Sequence, residues 1–501
     1  MRKTFLRIFA SMALVLSGAI LSYAIPVNNE AGSLSTLIDD VTLTDLTVTG
    51  TINAADFAWM RDNMLSLTTL NLQQAEVTSC DLTIGEDSVA HYDANVLPAY
   101  ALFGMSLEEV TLPATITTIG ENALAACGNL RSVSIPSAVT AIGDDAFNNS
   151  GLTSVTVPAT VSTLGNRVFA NCRQLTEATY LPADEQAVSE AMFSNCTALE
   201  TVNLGANVTA IGARAFAGCT SLQNVNRTAD NLLETIGESA FEGAGLDVID
   251  FSGCENLTTV GMWAFANTPA TRVILPESVT DLGQGAFFYD TELQNISLPA
   301  TITTFEDFLM AGCNSYADEN VVGSEVTTIG DYVFYNWDQM ASFVIPKKVS
   351  YIGTRAMAGM TNLESVTAHP TTVPDLGDDV WEGVDQPNVP LRVDETLIND
   401  YKAAAQWQEF RIVSIPTAVE NVTADAASSV KAHFAGTTLI VEAPTDIAQV
   451  SLFSVNGVML NQVAPAATRA QLETVNYQGR VYIVNVVLTD GSKAAFKLLR
   501  D

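Results

Sequence analysis

Apolar residues recur along this chain in two superimposed rhythms. Segments such as Leu130 to Ile135 and Leu293 to Leu298 alternate apolar and polar positions over their second half, as a half-buried strand does. At longer range an apolar-Gly dipeptide returns at Ile119-Gly120, Ile142-Gly143, Leu164-Gly165, Ile211-Gly212, Ile236-Gly237, Val260-Gly261, Leu282-Gly283, Ile329-Gly330 and Ile352-Gly353. Most neighbours lie about 22 to 25 residues apart, the spacing of a repeat array. Where the interval doubles, degenerate copies stand between, "VSEAMFSNCTALETVNL" from Val188 and "ITTFEDFLMAGCNSY" from Ile302, so the array holds about eleven units.

One strand per unit cannot bury its own inner face, whereas stacked copies pair about 4.8 Å apart and share a core. Pro136, Pro158, Pro276, Pro299 and Pro346 end the strand and turn the chain. Ile-Gly opens a second short extended piece, its glycine letting the backbone bend. Ala-Phe then points inward, predicting an aromatic spine of Phe147, Phe169, Phe216, Phe241, Phe265, Phe287 and Phe334. The place of Cys127 is taken in other units by Ser150, Cys172, Cys196, Cys219, Ala244, Thr268, Asp290, Cys313, Trp337 and Met360. A catalytic or metal-binding thiol does not alternate with alanine and methionine, so this is a packing position. Cys172, Cys196 and Cys219 fall in consecutive units and could come within bonding reach of one another.

These phased residues closely resemble the leucine-rich repeats of the Bacteroides surface protein A (BspA) and Treponema type, from about Leu97 to Val373. The segment "LTVTGTINAADFAWMRDNMLSLTTLNLQQAEV" resembles the module that opens such arrays, and "LRVDETLINDYKAAAQWQEFRIVSI" resembles their closing cap, with a short helix around Ile398 to Trp407. The expected fold is a right-handed repeat solenoid, a leucine-rich repeat with one short β-strand per coil of about 23 residues, capped at both ends and followed by a small all-β module. The expected divisions are a signal peptide over 1–24, an amino-terminal cap with a first atypical repeat over 25–96, the array over 97–373, a closing cap over 374–415, a linker over 416–430 and the β module over 431–501. The irregular unit "LDVIDFSGCENLTTVG" compresses the spacing and marks a local bend.

The leader reading rests on Arg2, Lys3 and Arg7, the apolar Ile8 to Ile20 and the small-x-small site Ser22-Tyr23-Ala24. Export to the cell surface or medium follows from it, with cleavage near Ala24. Three of the 22 basic residues lie in that leader, leaving 19 against 56 acids, and no lysine follows it before Lys347. That balance repels phosphates and excludes a nucleic-acid role. No later run of about 20 apolar residues could span a bilayer.

After Pro416 the repeat ceases. Strand signals in "TTLIVEA", "QVSLFSVNGVMLNQV" and "RVYIVNVVLTDGSKAAFKLLR" flank Asn456-Gly457 and Asp490-Gly491, both type I′ hairpin signals. Leu452 to Gly457, Gly479 to Val484 and a last strand with Lys497 resemble the carboxy-terminal sorting modules of type IX secretion. A β-sandwich spacer or adhesive accessory domain is the rival reading.

Candidate chemistry is sparse. His91, His369 and His433 are scattered, and no His-x-x-x-His, Cys-x-x-Cys, P-loop, EF-hand or G-x-S-x-G sequence occurs, so neither an enzyme nor a cofactor or metal is expected. A binding surface fits better. If Val133 and Ile135 face the core, their alternating neighbours face outward. That column reads Ser132, Ser134, Ser154, Thr156, Glu177, Thr179, Thr201, Asn203, Asn224, Asn226, Asp250, Arg272, Asn295 and Ser297, with Val248 and Ile274 among them. It is small, polar and without aromatic anchors. The family resemblance implies adhesion to host matrix or other bacterial surface proteins; a glycan-binding accessory protein and a structural envelope component are the alternatives.

Overall fold

The computed structural model describes residues 26–84, 88–415, 430–435, 437–454, 459–474 and 481–499. The leader, nearly all of the linker and the Asn456-Gly457 turn fall outside them. The chain forms two compact units, the described residues of Met1–Leu391 with Asp400–Arg411, and those of Arg392–Asn399 with Ile412–Asp501.

The first unit is a stack of coils. In most coils one strand, usually of three or four residues, pairs in parallel with its counterparts, as Ser154↔Glu177, Glu177↔Thr201 and Thr201↔Asn224 do; the coil between Asn295–Ser297 and Ser342–Ile345 has none. The second extended piece is a two-residue strand that builds its own narrow parallel sheet, for example Thr118–Ile119 with Ala141–Ile142 and Thr163–Leu164. The glycine that follows it has a different role from the expected bend. Its φ is not positive; instead a Cβ on Gly143 would lie 2.8 Å from Glu121 N, and one on Gly283 2.5 Å from Met262 N. Successive coils approach so closely there that only hydrogen fits.

The third side of the coil is a chain of turns. Residues four apart, such as Asn122 and Ala126 or Asp145 and Asn149, take left-handed φ near +55°. Alternate amides then point along the stack: Asn122, Leu124 and Ala126 donate to the carbonyls of Asp144, Ala146 and Asn148, while Ala123 and Ala125 bond within their own coil. Every coil side therefore satisfies its backbone against a neighbour without forming a helix.

Inside, Phe147, Phe169, Phe193, Phe216, Phe241, Phe265 and Phe287 stack face to face, with centroids 5.2 to 5.9 Å apart and planes within 15°. Phe193, from the degenerate copy, belongs to this spine. Phe334 does not, because buried Leu309 fills the intervening coil; Phe334 packs edge-on against Phe305, Trp337 and Phe343.

At both ends of the array polar side chains tie down backbone groups. At the start, the helix Ala54–Asn63 is capped by Asn53, and buried Asp56 accepts from Asn29 Nδ2 and from the amides of Gly32, Leu34 and Asn53. At the end, Gln406 Oε1 accepts from Val380 N and Gln406 Nε2 donates to Gly377 O. The helix there runs Ile398–Ala403, with a separate turn at Trp407–Glu409.

The second unit is antiparallel. Its 17-residue strand Thr438–Ser454 pairs with Lys431–Ala435, Met459–Val463, Ala467–Glu473 and Val481–Leu488, and Lys493–Leu499 closes the edge. Leu439, Val441, Val450, Leu452, Val484 and Val486 form its core. Only Gly491 has positive φ in the Asp490-Gly491 hairpin, so the turn is not type I′. Asp490 Oδ1 instead accepts from Ser492 N and Oγ, and Gly491 N bonds Leu488 O.

Candidate binding surface

The outward residues of the wide strands form two columns held in register by the parallel ladders. Ser132 and Ser134 lie beside Glu109 and Thr111. Ser154, Glu177, Thr201 and Asn224 make one column of the next segment, and Thr156, Thr179, Asn203 and Asn226 the other. Arg272 stands between Val248 and Asn295, and Ile274 between Asp250 and Ser297. Thr179, Thr201 and Asn203 are half-buried by their neighbours, and the other polar members are exposed.

Side-chain amides cross-link this face. Asn226 Nδ2 donates to Asn203 Oδ1 at 2.9 Å, and Asn203 Nδ2 donates to Glu177 Oε1 at 3.0 Å. Such bonds running from coil to coil fix the polar groups in one arrangement, so a partner meets a face whose rotamers are already ordered.

The face is not continuous. The ladder breaks between Ser132–Ser134 and Ser154–Val157 and again after Asn295–Ser297, and a third break, between Asn224–Arg227 and Val248–Asp250, falls at the irregular unit. The gap is a groove of about 220 Å³ bordered by Asn224, Asn226, Val248 and Asp250. Arg227 spans it: Nη1 donates to Val225 O at 3.1 Å, Nη2 donates to Asp250 O at 2.6 Å, and the guanidinium sits 4.2 Å above the Phe251 ring. Sequence reasoning passed over Arg227; its signal was a lone arginine at a strand end in a lysine-free stretch.

The buried chemistry belongs to the core. Cys127, Cys172, Cys196, Cys219 and Cys313 each donate to a backbone carbonyl one coil back, at 3.1 to 3.2 Å, and all seven cysteines are free. Burial pushes the Cys127 and Cys219 thiols up to about 12. Half-buried His369 is pushed down by the same loss of solvation. Among the described residues no group of three or more His, Cys, Asp or Glu is placed to hold a metal ion, and no helix is long and apolar enough to cross a membrane.

Stacked short parallel strands, a narrow second sheet and a left-handed turn side define a leucine-rich repeat solenoid. The model of the BspA type leucine rich repeat region matches residues 95–223, 221–336 and 327–432, and the chain belongs to that family. Among solved structures, a leucine-rich repeat protein from Bacteroides ovatus is similar at 20% identity with a TM-score of 0.59, covering 74% of this chain and 88% of that one. A leucine rich cell surface protein from Faecalibacterium prausnitzii matches at 22% identity with a TM-score of 0.31, over 57% of this chain and 86% of that one. The leucine rich repeat protein of T. pallidum matches at 26% identity with a TM-score of 0.28, over 36% and 73%. No curated protein sequence matches the chain.

Proposed function

We propose that this is an exported surface protein, without catalytic activity, that binds host matrix or other bacterial surface proteins along the wide sheet of its solenoid. The observation that carries this reading is the registered polar face, whose amide ladder from Glu177 through Asn203 to Asn226 presents fixed donors and acceptors over consecutive coils. The broken ladder adds a concavity in which Arg227 is already anchored. Many weak hydrogen bonds from a preorganised surface suit an extended protein partner. In this scheme residues 1–24 direct export, 25–96 and 374–415 cap the array, and 431–501 form the sorting module.

Pull-down from matrix or mucosal extract with purified solenoid is the test. A variant carrying Ser132→Lys, Ser154→Lys, Thr201→Lys and Asn224→Lys is expected to lose the captured protein; capture at wild-type level would overturn the sheet-face reading. Deleting 430–501 is expected to abolish surface display, and unchanged display would remove the sorting role.

A further inference from the structure

The turn side of the solenoid carries a second surface. In most coils its left-handed positions hold Asn, Asp, Arg, Ser, Ala or Gly; Tyr100 takes one near the start of the array at φ +58°, and four coils farther along place Trp263, Tyr289, Phe308 and Tyr332 there, at φ +55°, +57°, +60° and +58°. In that conformation the Cβ of a bulky residue crowds the backbone, and Asn or Gly tolerates it far better. Local rules are thus broken in neighbouring coils in the same way, the pattern expected where function outweighs backbone preference.

These rings, with Phe288 and Tyr335, form one strip. Trp263 meets Phe288 edge-on at 5.0 Å and Phe308 at 6.2 Å, Phe308 stacks on Tyr332 at 4.9 Å and 4°, and Tyr332 meets Tyr335 at 5.6 Å. The next coil makes room for two of them. A Cβ on Gly285 would lie 2.1 Å from Trp263 Cζ3, and one on Gly312 3.0 Å from Tyr289 Cδ2, so each ring lies across a glycine. Tyr289 is 42% exposed and the other five are half-buried.

Charge around the strip is mostly acidic, with Arg355 at its far end, where Nη1 lies 3.5 Å from the Tyr332 hydroxyl and the guanidinium is paired with Asp379 and Glu382. Between Arg227 and Lys347 the chain has eighteen acids and a single base, Arg272. An anionic partner is repelled there, whereas guanidinium and ammonium groups are drawn both to the carboxylates and to the negative faces of the rings. The chain already uses that contact internally, in Arg227 over Phe251. We propose that the strip docks a basic, arginine- and lysine-bearing segment of another protein. It lies on the turn side of the coils, apart from the polar columns of the wide sheet, and stands independently of them.

The test uses the full chain and a labelled peptide alternating Arg and Gly, read by fluorescence anisotropy at low salt. Wild type is expected to bind it, and the triple variant Trp263→Asn, Tyr289→Asn, Tyr332→Asn, which keeps the net charge, to bind at least about tenfold more weakly. Should the triple variant fold poorly, Tyr289→Asn alone is expected to lower affinity by about twofold to fivefold with an unchanged melting temperature. Peptide binding that ignores these substitutions would mean diffuse charge attraction and overturn the proposal. Binding of a neutral cello-oligosaccharide with no binding of the peptide would overturn it in favour of a sugar platform. The sheet-face lysine variant is expected to keep peptide binding, which separates this surface from the first.

Discussion

The thiol of Cys219 donates a 3.1 Å hydrogen bond to the backbone carbonyl of Phe193, one coil earlier. Cys196 does the same to Phe169, Cys172 to Phe147 and Cys313 to Phe287, and where tryptophan takes the place, Trp337 Nε1 donates to Met310 O at 2.7 Å. The position therefore takes a side chain that fills the corner of the coil, and where that side chain is cysteine or Trp337 it also donates to the coil before it. Cys219→Ala removes both, and is expected to cost about 1–3 kcal/mol in urea denaturation, with Cys219→Ser costing less. A thiol reagent at pH 8 is expected to label only half-exposed Cys80 quickly in native protein and all seven cysteines in denaturant.

Asp290 occupies that same corner. Its Oδ1 accepts from Thr268 N at 2.7 Å and Thr268 Oγ1 at 3.0 Å, its Oδ2 has no partner, and burial holds the carboxyl well above the ordinary carboxylate range. The native chain thus binds this proton more tightly than the unfolded chain, whose value lies near 3.9. The stabilisation is full below about pH 3.9 and is lost as pH rises through the native value. An asparagine in its place would not titrate, so Asp290→Asn is expected to gain on wild type by about 1–3 kcal/mol between pH 4 and pH 8. Paired thermal melts across that range check it; a constant difference would show that Asp290 is ionised in the fold.

The stacking direction, the inward Phe and the outward polar columns were all legible, because they depend only on phase within one repeat. Features set by two coils at once were not. Gly283 looks like any flexible glycine until the backbone of Met262 is placed beside it. The exclusion of Phe334 from the spine depends on Leu309 in a degenerate copy. The left-handed positions had a visible signal in Asn149, Asn171, Asn195, Asn267 and Asn336 at one phase, residues that tolerate such backbone. Trp263 and Phe308 stand four residues before that phase, at the coil's other left-handed position, and their exposure follows only once the turns are drawn. The compressed unit near Leu246 announced an irregularity, but that it breaks the wide ladder and seats Arg227 emerges from the pairing alone.

Close approach of coils at the glycines makes a direct prediction. Gly283→Ala would place its Cβ 2.5 Å from Met262 N and 2.6 Å from Gly261 C, backbone atoms that are themselves fixed by pairing. Relief requires prying two coils apart, expected to cost about 1–3 kcal/mol or more and to lower the melting temperature. Gly253→Ala, where a Cβ meets nothing within 4 Å and φ is not positive, is the control and should melt near wild type.

The closing cap works through one side chain. In the interior, Arg355 N and Met357 N donate to the carbonyls of Asp378 and Val380 in the following coil. Val380 matches Ala356, whose amide bonds Gly353 O within its own coil; at the end of the array Gln406 is inserted into that bond, its Oε1 receiving Val380 N at 2.8 Å while Nε2 serves Gly377 O at 2.7 Å. Gln406 holds φ +62° to do so, and Gln386 Nε2 in turn donates to its carbonyl at 2.8 Å. Replacing the Gln406 side chain removes its bonds to Val380 N and Gly377 O at the open end of a stack whose coils lean on their neighbours. Gln406→Ala is therefore expected to lower local stability by about 1–3 kcal/mol, seen as faster hydrogen exchange at Val380. Fraying should spread from that end, so exchange at Phe147 and Phe169, deep in the array, is expected to stay at its wild-type rate.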